Sequence, residues 1–212
     1  MNERLMELPA RALIERLATS EPIPGGGSAA AMAGAMGAAL VHMVVELTLG
    51  RPAAEGHEEA LTRIGTGSVG WQSELLNLAE LDATAYDAVV RARRLPRETD
   101  RARESRAVEV TGALREATRV PLATARAASE VLGLANLLAP IGNRNAISDV
   151  GVAALLAGAA VRGAGLNVEI NLPYLAEDDP LRGEAAEELA GLTATAEERE
   201  RAIRATVAGR LA

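Results

Sequence analysis

The sequence predicts an all-α protein, a helical bundle built around long Ala/Gly-rich central helices. Three observations predict it. Half the chain is apolar (49%), yet Phe is absent and aromatic residues make up 1%. A core without large rings must be built from Ala, Leu, Val, Ile and Met, whose small members let helix backbones approach closely and leave few strand-favouring residues. Apolar residues recur at helical spacing through most of the chain. Proline, glycine and asparagine clusters punctuate these periodic stretches.

The elements follow in order. Met6, Ala10, Leu13, Ile14 and Leu17 share one face of a first helix, with Pro9 in its first turn. The stretch Ser20–Ser28 is a loop. A long Ala/Gly helix is expected from 28 to 49, with Ser28 as its N-cap and Gly50-Arg51-Pro52 as its stop. The next helix is read over 56–95. Gly65, Gly67 and Gly70 within it call for a kink or for tight packing. Two helices are then expected, over 99–118 and 121–138, with Pro121 opening the second. Pro140–Asn145 is a further loop. A second Ala/Gly helix spans 149–171, capped by Ser148, with Asp149 in its first turn where the helix dipole favours a carboxylate. One or two charged amphipathic helices complete the chain. The 212 residues are read as a single domain, 1–212, with 179–212 as a C-terminal helical extension.

Composition excludes several classes of function. All 22 basic residues are Arg, so no mechanism can rest on a lysine Schiff base or a lysine-bearing phosphate loop. Cys is absent, which removes thiol catalysis, disulfides and Cys-ligated zinc. His42 and His57 are not at ligand spacing, and no metal site is expected. A net charge of −7 without a basic stripe speaks against nucleic acid. The charged start of the chain lacks the apolar run of a signal peptide. The run 29–45 is apolar, but it is rich in Ala and Gly, holds His42 and meets Glu46. It is read as a buried helix, with no membrane partner and a cytoplasmic location.

Four constellations could carry chemistry. The first is Pro22-Ile23-Pro24-Gly25-Gly26-Gly27-Ser28, opening a helix. Its glycines let a ligand approach backbone N–H groups at an anion-favouring helix start, or they form a turn and cap. Gly25, Gly27 and Ala30 also fit a dinucleotide fingerprint, but no strand precedes them. The second is Asp82 with Tyr86, one turn apart and flanked by Leu75, Leu78 and Val89. An acid among apolar residues is either paired with an arginine or poised with a shifted pKa. The third is Gly142–Asp149, where Asn143, Asn145, Ser148 and Asp149 offer donors and acceptors, or simple turn chemistry. The fourth is Asn167 and Asn171, whose amides among small residues need partners and either bridge helices or read a heterocycle.

Taken in order, these motifs form a series. It runs Pro22–Ala30, Leu47–Gly50, the D-A-x-A-Y of Asp82–Tyr86, and Leu95-Pro96. It continues with the A-x-x-V-P-L of Ala117–Leu122, the G-N-x-N-x-x-S-D of Gly142–Asp149, and Asn167–Leu172. Over roughly residues 5–176 the series resembles the cyclodeaminase/cyclohydrolase family, found as the C-terminal domain of formimidoyltransferase-cyclodeaminase and as stand-alone methenyltetrahydrofolate cyclohydrolases. The resemblance implies an all-helical homo-oligomer, taken as a dimer, that binds a tetrahydrofolate substrate in a cleft and needs no cofactor. With the pattern beginning almost at residue 1, no transferase domain is expected, and methenyltetrahydrofolate cyclohydrolase is expected first. Formimidoyltetrahydrofolate cyclodeaminase is the alternative, and a non-catalytic folate-binding or structural oligomer is the alternative of another class. By this resemblance Asp82 is the catalytic carboxylate, and Tyr86 orients it or stacks on the pterin. Pro24, Gly25, Gly26, Gly27 and Ser28 hold substrate, and Asn143, Ser148, Asp149, Asn167 and Asn171 recognise its head.

Overall fold

The computed structural model describes residues 4–211, so the outermost ends of the expected 1–212 domain lie outside the described residues. Six α-helices are present among them: α1 (Ala10–Leu17), α2 (Gly26–Glu46), α3 (Glu58–Arg93), α4 (Asp100–Leu138), α5 (Ile147–Asn171) and α6 (Pro180–Leu211). Short 3₁₀ turns sit at Leu5–Glu7, Pro52–Ala54, Arg144–Ala146 and Leu172–Tyr174. No strand occurs among the described residues, which agrees with the all-α expectation.

Helices α2, α3, α4 and α5 form the bundle, and α6 lies across α4 and α5. Helices α2 and α5 pack closely, and small residues make it so. A Cβ on Gly37 would stand 3.0 Å from the Ala153 carbonyl oxygen, and one on Gly34 would stand 3.3 Å from the Ala160 Cβ. A Cβ on Gly163 would stand 3.2 Å from that of Ala30. These pairings run antiparallel: residues 30, 34 and 37 meet 163, 160 and 153. Ala31, Ala38, Ala157 and Ala164 are fully buried along the same joint. Both helices are long and apolar enough to cross a membrane by length and composition, and about half of each is buried against its neighbours.

The aliphatic core fills the space between the small residues. Val41, Val44, Leu61, Leu75, Leu132, Leu138, Ile147 and Ile203 are all fully enclosed. The glycines of α3 divide as their surroundings dictate. Gly65 packs on Val45 and Gly67 on Leu134, whereas Gly70 has open space around it.

Several boundaries differ from the sequence reading. Pro9 is the N-cap of α1 and lies outside its first turn. Helix α2 starts at Gly26 with Gly25 as its N-cap, so Ser28 lies inside the first turn and does not cap it. Ser148 likewise lies inside α5, whose N-cap is Ala146. The two helices expected over 99–118 and 121–138 are one helix, α4, with Pro121 in its interior. A proline there removes an N–H and orphans the carbonyl of Ala117, four residues back, which normally ends a helix. Here the Asn171 side chain donates to the Ala117 oxygen at 2.8 Å. Pro121 and Leu122 are both buried, and their packing carries the helix through.

The segment read as a C-terminal extension is the single helix α6, with Ala185, Leu189, Ala196, Ile203 and Val207 buried on the bundle. Its buried Glu200 accepts from Arg162 of α5 at 2.9 Å. Gly158 makes room for that carboxylate, since a Cβ there would meet Glu200 at 2.2 Å.

The α2–α5 joint and the open face of α3 should respond oppositely to added bulk. Gly37→Val is expected to lower stability by about 1–3 kcal/mol by overpacking against the α5 backbone. Gly70→Ala is expected to raise it by up to about 1 kcal/mol through helix propensity alone. Urea unfolding of the two variants checks both.

Candidate active site

One end of the bundle is hollowed into a cleft of about 330 Å³. Its walls come from the loop before α2, the first turn of α2, one face of α3, Leu114 and Ala117 of α4, and the last turns of α5 with Tyr174 beyond. Of the residues singled out in the sequence, the cleft brings together Gly25, Gly26, Gly27, Asp82, Tyr86, Asn167 and Asn171.

Asp82 stands at its centre. It projects from the middle of α3 onto the start of α2, where Gly27 provides the space: a Cβ there would lie 2.1 Å from Asp82 Oδ1. The Ser28 hydroxyl lies 3.0 Å from Asp82 Oδ2 and 2.9 Å from the Ala79 carbonyl oxygen. It has one proton for two acceptors. With Asp82 ionised, the charge-assisted bond to the carboxylate is the stronger. With Asp82 protonated, the acid can donate to Ser28 Oγ while the hydroxyl donates to Ala79. Each charge state therefore finds a complete set of partners.

Burial pushes the Asp82 pKa above the ordinary carboxylate value, and the Ser28 hydroxyl and backbone N–H hold it back in part. No arginine forms an ion pair with Asp82 among the described residues. Of the two readings left open in the sequence, the structure takes the poised acid over the paired one.

The other sequence candidates separate. Tyr86 lines the cleft and is 46% exposed, and it makes no hydrogen bond to Asp82. Ser28, fully buried behind Asp82, holds the acid and does not line the cleft; Pro24 is also buried and outside the lining. Asn167 donates to the Gly163 carbonyl at 2.8 Å, and Asn171 donates to Ala117 and Asn167, each at 2.8 Å. The amides thus bridge backbone and line the cleft at once.

Asn143, Ser148 and Asp149 lie at the other end of α5, about 28 Å away at 1.5 Å per residue. Asn143 ties the loop to α2. Its side chain donates to the Leu47 carbonyl at 2.9 Å, and its N–H donates to Thr48 Oγ1 at 2.8 Å. Ser148 borders a separate groove beneath α6. Within one chain these three do not reach the cleft.

Arg93 and Tyr174 were missed. Both line the cleft, with the guanidinium carbon 5.2 Å from the Tyr174 ring centre in a cation–π contact. A signal for Arg93 was present: Asp82, Tyr86, Val89 and Arg93 fall at i, i+4, i+7 and i+11, one face of α3.

Fold and cleft define an all-α bundle with a half-buried acid, free of any arginine partner among the described residues, cradled by a glycine-rich helix start. Comparison with known proteins gives this class its place. A family model described as formiminotransferase-cyclodeaminase matches residues 9–190, and the chain belongs to that family. Methenyltetrahydrofolate cyclohydrolase of Methylorubrum extorquens is 45% identical over 183 residues, covering 86% of this chain and 88% of that protein. Formimidoyltransferase-cyclodeaminase of Mus musculus is 34% identical over 176 residues, which are 83% of this chain and 32% of that longer protein. The crystal structure of formiminotetrahydrofolate cyclodeaminase from Thermotoga maritima superposes with a TM-score of 0.87 at 28% identity. It covers 97% of this chain and 98% of that one.

An acid whose folded pKa is raised binds its proton more tightly in the native state. Its contribution to stability is present below the unfolded pKa and is lost as pH rises through the folded one. Asp82→Asn is therefore expected to raise the thermal midpoint at pH 7. That advantage should shrink as pH falls through the Asp82 pKa. Thermal unfolding of both proteins across pH 3–8 checks the crossing.

Proposed function

We propose that this chain is an enzyme of one-carbon tetrahydrofolate metabolism, a methenyltetrahydrofolate cyclohydrolase. The observation that carries the proposal is Asp82, a half-buried acid set against the start of α2, held above its ordinary pKa and open to the cleft. The Methylorubrum extorquens cyclohydrolase supports it, being similar over most of both chains.

The reaction fits such an acid. Water adds to the carbon between N5 and N10 of 5,10-methenyltetrahydrofolate, and Asp82 takes a proton from it. The resulting tetrahedral carbon carries the new hydroxyl. The C–N5 bond then breaks, N5 receives a proton, and the hydroxyl oxygen becomes the formyl oxygen on N10. One proton is released overall. A raised pKa makes Asp82 a stronger base than an ordinary aspartate, better suited to taking a proton from water and returning it. Its negative charge also lies beside the cationic amidinium of the substrate. No step calls for a cofactor. The α2 N-terminus and the glycines let the substrate lie close to backbone N–H groups, Tyr86 offers a stacking face, and Arg93 is the cation for a substrate carboxylate.

Formimidoyltetrahydrofolate cyclodeaminase is the second reading, favoured by the similarity to the Thermotoga maritima structure. There N10 attacks the carbon of the protonated formimidoyl group on N5. The same carboxylate would take the N10 proton and return it to the departing nitrogen, which leaves as ammonia while the methenyl cation forms.

We further propose a homo-oligomer, taken as a dimer. Met36 and Met43 on α2, with Leu155 and Leu166 on the neighbouring α5, are 54%, 38%, 54% and 67% exposed, an apolar outward surface that a second copy would cover.

Absorbance of the methenyl compound tests the chemistry. Purified protein is expected to speed the decay of 5,10-methenyltetrahydrofolate and to produce no methenyl absorbance from 5-formimidoyltetrahydrofolate. A rise in the second cuvette assigns the cyclodeaminase, and no change in either overturns the enzyme reading. Asp82→Asn and Gly27→Ala are each expected to lower turnover by about 10²-fold or more. Sedimentation velocity is expected to give a dimer, with Met36→Glu/Leu155→Glu shifting it to monomer.

A further inference from the structure

The cleft end of α5 carries two amides whose orientation is forced. Asn171 Nδ2 lies 2.8 Å from two carbonyl oxygens, those of Ala117 and Asn167. Only an amide nitrogen can sit between two acceptors, so both of its protons are spent there. Oδ1 is left as the one side-chain polar atom of Asn171 without a partner among the described residues, and Asn171 lines the cleft. Asn167 Nδ2 spends one proton on the Gly163 carbonyl at 2.8 Å. Its second proton and its Oδ1 are left over, beside Gly26 and again in the cleft wall.

The Asn171 constraint originates in α4. Pro121 has no N–H, so the Ala117 carbonyl has no helical partner and accepts from Asn171 instead. Were an ordinary residue at 121, its N–H would compete for that oxygen. The proline therefore fixes an amide across the interface between two helices, although it does not line the cleft itself.

We infer that Asn167 and Asn171 together form the head-group reader of the cleft, presenting one donor and two acceptors to the 2-amino-4-oxopyrimidine edge of a pterin, with Pro121 as the positioning residue that sets Asn171. The edge they would meet runs acceptor, donor, donor: a ring carbonyl, a ring N–H and an exocyclic amino group. Asn167 donates to the carbonyl and accepts from the ring N–H, and Asn171 Oδ1 accepts from the amino group. The two asparagines are one helical turn apart, about 6 Å along α5, a span that such an edge fills. The inference rests on a reduced folate occupying this cleft, and it adds which atoms read the folate and how they are aimed.

Calorimetric titration with 5-formyltetrahydrofolate and with its 2-desamino-2-methyl counterpart tests it. The wild-type protein is expected to bind the amino compound about ten-fold or more tightly, because a fixed acceptor left unpaired is costly. Asn171→Leu is expected to bind the two compounds alike. Pro121→Ala restores an N–H to the Ala117 carbonyl, favours the helix and is expected to fold. It should nevertheless reduce the preference several-fold, which a merely structural proline would not do. Equal binding of the two compounds by the wild type, or an intact preference in Asn171→Leu, overturns the reader. An unchanged preference in Pro121→Ala overturns the positioning role. Turnover of methenyltetrahydrofolate with no amino preference defeats this inference alone, whereas no folate binding at all defeats the proposed function together with it.

Discussion

The close approach of α2 and α5 is the constraint on which the rest depends. Two helices packed through Gly34, Gly37, Ala157, Ala160 and Gly163 bring their backbones nearer than leucine-lined helices would allow. Their antiparallel run then sets the first turn of α2 beside the last turns of α5. That juxtaposition places Gly26 against Asn167 and brings the glycine-rich turn within reach of Asp82 on α3. Had larger residues lined the joint, the helices would separate and the cleft wall would open with them. The core composition and the site are therefore one problem: the small residues that exclude large rings from the interior also bring the site together.

The outer helix is held by a different chemistry. Arg199 of α6 donates to the Ser129 carbonyl at 2.7 Å, and Arg210 donates to that of Gly142 at 2.7 Å. Arg115 pairs with the buried Asp179 just before α6 at 2.7 Å. A planar guanidinium with five donors suits this bridging of helix ends and buried acids, which a lysine would serve less well. The all-arginine basic complement thus has a structural use along α6, whatever its origin.

Much of the fold was legible in the sequence because periodicity and punctuation agreed. The Ala/Gly runs gave α2 and α5, and the Gly50-Arg51-Pro52 stop fell within a few residues of the observed end. Pro121 misled, because local chemistry alone says that a helix should begin there. The side chain that relieves it, Asn171, is fifty residues distant, and no local reading reaches it. Ser28 and Ser148 misled for a related reason: a serine beside a helix start looks like a cap, and Asp82 approaches the α2 start from another helix. In the site, the glycine turn, Asp82, Tyr86 and the two asparagines were found through motif residues that the fold then gathered. Arg93 stood on the same α3 face but lay outside any motif. Asn143, Ser148 and Asp149 looked similar in chemistry to Asn167 and Asn171. Only the length of α5 separates the two groups, and a spacing in sequence says nothing of which end holds the cleft until the helix is known to be unbroken.

Gly27 ties two helices together through an absence. The position tolerates a hydrogen and nothing larger while Asp82 keeps its place, since the first carbon of any side chain would overlap the acid's oxygen. Glycine at 27 and the placement of Asp82 on α3 are therefore coupled, since a side chain at the first position takes the space of the second. A variant that kept the bundle but lost this hydrogen would retain the shape of the protein and lose the place that Asp82 now occupies.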